Sequence, residues 1–109
     1  MPKSTDIPEK SRRAVHERDR GLCRVCGRWA DPAALHHIVF RSQDRNNHGP
    51  ANLVTLGGGY GHICHQMVHA HAATFTPALQ AIVERPGTTA LAWLRRQGVD
   101  IRGLMKGSL

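Results

Sequence analysis

A chain of 109 residues allows one domain, near the low end of the usual size range. With 40% apolar and 5% aromatic residues it can build only a thin core, the situation in which small domains lean on a metal or a disulfide. A formal charge of +7 points to a polyanionic partner, nucleic acid first, and no apolar run reaches the length of a membrane span.

Ten of the fifteen Lys and Arg residues fall in the first 45 positions, so the charge is concentrated in one part of the chain. The three cysteines are Cys23, Cys26 and Cys64. An odd number with one close pair argues against a disulfide framework and for metal binding. The polar, charged N-terminus carries no secretory signal pattern, and the expected location is a reducing cytoplasm, that of the host if the source is viral.

In chain order, the segment Pro8 to Asp19 predicts a helix, with Asp6 as cap, Pro8 in the first turn and Gly21 at its end. Cys23-Arg-Val-Cys26-Gly27 forms a tight knuckle. Leu35 to Phe40 contains Ile38, Val39 and Phe40, which favour a strand. Arg41 to Ala51 reads as a polar loop, and Asn52 to Leu56 as a second short strand. Gly57 to Gly61 is a turn whose glycines permit unusual backbone angles. His62 to about Thr74 has helical spacing. Thr76-Pro77 opens another helix that Pro86-Gly87 closes, and Ala90 to Gln97 forms a last amphipathic helix ended by Gly98. Leu91, Trp93 and Leu94 read as packing residues. The order strand, loop, strand, helix, flanked by helices, predicts a single α+β domain over residues 1–109.

Five of the eight histidines lie in two clusters, His36-His37 on the first strand and His62, His65 and His69 farther on. The i, i+4 spacing puts His65 and His69 on one helix face, where two imidazoles can share a metal. One further ligand from the neighbouring strand would give a three-ligand site with open positions, as a catalytic ion needs. Adjacent residues on a strand diverge, so one of His36 and His37 can reach the metal while the other acts as a base near neutral pH.

The segments Arg18-Asp19-Arg20-Gly21-Leu22-Cys23-Arg24-Val25-Cys26-Gly27, Leu35-His36-His37-Ile38-Val39, Asn52-Leu53-Val54-Thr55-Leu56 and Cys64-His65-Gln66-Met67-Val68-His69 resemble, in this order, the HNH endonuclease family. The resemblance spans roughly residues 12–71 and leaves out the tail, about 75–109. It implies a ββα-metal core with a zinc knuckle, between an N-terminal helix and C-terminal helices. By this resemblance His36, His65 and His69 hold the catalytic ion, and His37 is the general base. Asn52 is then the middle Asn whose amide holds the loop between the strands. The arrangement is similar to that of colicin nuclease domains. Mg²⁺ or Mn²⁺ is the expected ion, although three imidazoles also suit Zn²⁺ or Ni²⁺. A structural zinc would sit on Cys23, Cys26 and Cys64. Where the family usually has a further cysteine, this chain has Gly61, which leaves His62 as the expected fourth ligand and His71, His16 or solvent as alternatives.

DNA is the expected partner. Arg12, Arg13, Arg18, Arg20, Arg24 and Arg28 surround the first helix and the knuckle, and Arg41 follows the His-His strand. Arg12, Arg13, Arg24 and Arg41 are the expected phosphate contacts, which give affinity without sequence choice. A homodimer, or a place beside DNA-packaging machinery, is compatible with the resemblance. A zinc-ribbon DNA-binding or accessory module without cleavage would account for the cysteines and arginines. It would leave the histidine spacings and Asn52 without a purpose.

Overall fold

The computed structural model describes residues 7–30, 33–39, 48–57 and 63–103. Helix α1 spans Glu9–Asp19, with Glu9 in its first turn and His16 and Arg18 in its last, matching the helix dipole. It ends at Arg20, which takes the left-handed conformation (φ 55°) and returns its N–H to His16 O. Gly21 follows at φ 75°, so two consecutive positive-φ residues turn the chain into the cysteine knuckle.

Strands β1 (Ala33–His37) and β2 (Leu53–Gly57) pair antiparallel, with Leu35 opposite Thr55, His36 opposite Val54 and His37 opposite Leu53. Strand alternation then separates the two histidines. His36 shares its face with Val54 and Leu56, which belong to the main core. His37 shares the other face with Leu53, which packs with Ile7, Val15 and Leu35 beneath α1. β2 is buried along its whole length, in keeping with its nearly continuous apolar run.

β1 lies two residues before the strand expected at its start, and Ile38 and Val39 leave the ladder. Asn52 is the reason. Its carbonyl accepts from Ile38 N (2.8 Å) and its side chain pairs with the Val39 backbone, so one residue replaces the next rung of the sheet. A single 3-10 turn, Pro50–Asn52, leads into β2.

Helix α2 covers Cys64–Ala70 and α3 covers Ala72–Ile82. The break falls at His71 (φ −127°, ψ 46°), not at Thr76-Pro77, and Pro77 sits inside α3. Phe75, Ala78, Leu79 and Ile82 recur at helical spacing and are all buried, so packing of this face overrides the local cost of the proline. Helix α4 (Ala90–Arg96) packs on α3 and is capped by Thr89, whose Oγ1 accepts from Ala92 N at 3.2 Å.

The tail shares the core of the knuckle. Cys23, Val25, Cys64, Phe75, Leu79, Ile82 and Leu94 belong to one apolar cluster. α4 also hangs on the knuckle backbone through Ala90 N to Arg24 O (2.8 Å) and Leu91 N to Val25 O (3.2 Å).

Candidate metal centre

Two groups of metal-ligating side chains converge among the described residues. The first is Cys23, Cys26 and Cys64, and the second is His36, His65 and His69, each with its ligand atoms within 4.8 Å of one another.

The thiols are brought together by the knuckle and the start of α2. Gly27, at φ 84°, donates its N–H to Cys23 O at 2.8 Å and closes the turn that carries Cys23 and Cys26. Cys64 opens α2 and is buried. Cys64 donates a hydrogen bond to Cys23. This bond outweighs burial and, with the N–H groups of Cys26, Gly57 and Val25, brings Cys23 down to about 5. The same bond, together with burial, pushes Cys64 up. At the surface, a hydrogen bond to Cys26 raises the Arg28 guanidinium pKa above its ordinary value. Tetrahedral zinc with thiolate ligands requires sulfurs about 3.8 Å apart, which fits within the observed spacing.

The imidazoles come from β1 and α2. His65 and His69 stand one turn apart, their Nε2 atoms 3.1 Å from each other, close to the roughly 3.3 Å that two nitrogens on one tetrahedral ion require. The His36 ring meets them from the strand, 5.9 Å from His65 and 5.2 Å from His69 between centroids, with its plane nearly perpendicular to both. Burial, with His69, His65 and His37 nearby, pushes His36 down to about 3, and burial and His69 also lower His65. Neutral imidazole is the ligating form. The donor set therefore fits a divalent ion, zinc among them.

Compared with known proteins, the chain matches no family model, no curated protein and no solved structure.

His37 lies one residue from the histidine cluster and on the opposite face of β1. Its Nε2 lies 3.0 Å from Nδ1 of His48, which is also buried. His48 was not foreseen from the sequence, because a lone histidine in a polar loop carries no pattern. Asn52 is buried beside this pair; its Oδ1 accepts from Val39 N (2.8 Å) and its Nδ2 donates to Val39 O (3.2 Å). These bonds fix the backbone two residues past His37.

The arginines divide into two groups. Arg12 and Arg13 are exposed on α1. Arg24 corrects the expectation of a phosphate contact, because it is only 3% exposed. It binds Asp19 at 2.7 Å and donates to Ile82 O (2.6 Å) and Arg85 O (2.8 Å), which places its charge at the C-terminal end of α3. Arg18 is likewise committed, to Asp19, Pro50 O and Leu53 O. Arg41 and His62 lie outside the described residues. Of the alternative fourth ligands, neither His16 nor His71 joins the cysteine group.

Proposed function

We propose that this protein is a metal-dependent DNA endonuclease of the HNH type. The observation that carries the reading is the division of labour across β1. His36 joins His65 and His69 on one face, while His37 stands on the other, braced by Asn52 through Val39.

In this reading His36, His65 and His69 hold the divalent ion, and Cys23, Cys26 and Cys64 hold a structural zinc. An ion bound to the imidazoles would supply positive charge for the phosphate and the departing 3′ oxygen. His37 accepts the proton of the attacking water. His48, whose Nδ1 lies 3.0 Å from Nε2 of His37, orients that imidazole. Asn52 keeps the backbone beyond His37 from shifting, which holds the base in place. Arg12 and Arg13 hold the phosphate backbone without reading sequence.

The reading is tested with supercoiled plasmid. The protein should nick it with Mg²⁺, Mn²⁺, Ni²⁺ or Zn²⁺ and leave it intact with none added. Plasmid left whole under every metal would overturn the proposal.

A further inference from the structure

Trp29 is 63% exposed, an unusual setting for so large an apolar side chain. Its ring is not loose. It lies on the backbone of Gly21, where an added Cβ would come within 2.6 Å of it, and an antiparallel bridge joins Trp29 to Leu22. Cys23 N to Arg28 O (2.8 Å) and Ala30 N to Gly21 O (2.9 Å) tie down the backbone on either side. One ring face is therefore seated on the protein, and the residue as a whole remains open to solvent.

The ring borders a groove of about 510 Å³ between α1 and β1. Arg12, Arg13 and His16 line it from α1, with Glu9 the one carboxylate lining it among the described residues. Leu35 also lines it and, by strand alternation, shares the face of β1 that carries His37. A preset aromatic surface beside paired guanidinium groups suits a flat π-system joined to a phosphate.

We propose that Trp29 stacks an unpaired nucleobase, with Arg12 and Arg13 holding the phosphates beside it, so that this groove takes single-stranded nucleic acid. The proposal rests on the nucleic-acid part of the function proposed above, but not on cleavage. Duplex DNA keeps its bases stacked on one another and offers Trp29 no open face.

The test is a fluorescence titration with an oligothymidylate of about twelve nucleotides, within the usual site sizes for single strands. It uses His37→Ala, so that no strand is cut, together with Trp93→Phe, so that Trp29 is the sole reporter. Trp29 emission should be quenched to saturation by the single strand and little changed by a duplex of equal length. On the same His37→Ala chain, followed by anisotropy of a labelled strand, Trp29→Phe should keep the affinity, while Trp29→Leu should weaken it about ten-fold or more. Arg13→Ala, at an exposed position, should weaken binding and flatten its salt dependence whether or not Trp29→Leu folds. Absence of quenching, equal quenching by the duplex, or an Arg13→Ala variant with unchanged affinity and salt dependence would each overturn the proposal. Plasmid cutting by the wild-type protein without this quenching would remove the stacking site and keep the nuclease. Quenching without cutting would do the reverse.

Discussion

At the residue scale, Asp19 anchors a buried polar network. Its side chain is fully buried and accepts from Arg18 (2.7 Å), Arg24 (2.7 Å) and Thr55 N (3.0 Å). Burial alone would raise its pKa, but these bonds and the Arg18 charge hold it below the ordinary 3.8. A depressed folded pKa means that the stability it contributes is fully present above pH 3.8 and is lost as the pH falls through the lower folded value. Asp19→Asn should therefore reduce stability by about 3 kcal/mol at neutral pH, because it leaves two guanidinium groups without their carboxylate. It should also flatten the acid limb of the melting curve. A melting temperature unchanged from wild type would contradict the network. Nothing in the run Arg18-Asp19-Arg20 announces this role, since alternating charge usually marks a solvated face.

At the element scale, β1 shows what was legible and what was not. The divergence of His36 and His37 follows from strand alternation alone, and the structure has it. The strand's end does not follow from propensity. Ile38 and Val39 favour the extended ladder, yet Asn52 captures their backbone and closes it. Asn52→Ala should leave the Val39 N–H and carbonyl without these partners and cost about 1–3 kcal/mol. If His37 is the base as proposed, Asn52→Ala should lower kcat more than it raises KM in the cleavage assay, because His37 loses its brace. An unchanged kcat would show that Asn52 serves the fold only. The i, i+4 pair on α2 was readable from spacing, and its Nε2 atoms do meet. The split at His71 was not, because it is fixed by which face of α3 reaches the core. Arg24 was misread for a related reason. Its sequence neighbours suggest a basic surface, but its partners, Ile82 and Arg85, lie some sixty positions away and are invisible to local pattern.

At the scale of the whole molecule, the knuckle and the tail are one structure. A reading that treats residues 12–71 as the working core leaves Phe75, Leu79 and Leu94 without a role, yet they close the cluster that contains Cys23 and Cys64. The Arg24 guanidinium and the α4 backbone bonds add polar ties across the same boundary. A chain ended after His71 should fail to fold and should not take up zinc, seen as absence of a cooperative melt and of stoichiometric metal binding. A truncated chain that melts cooperatively and keeps zinc would show the tail to be an accessory. The thin core expected from 40% apolar content is thus made sufficient by using the tail and by placing the cysteine cluster inside it.

The most direct test of the central claim compares wild type with His37→Ala on supercoiled plasmid at low salt, with Mg²⁺, Mn²⁺, Ni²⁺ or Zn²⁺. Metal content and DNA binding are measured on the same samples. The account predicts metal-dependent nicking by the wild type and its loss in the variant, with metal and DNA still bound. Cleavage by His37→Ala at the wild-type rate would contradict it.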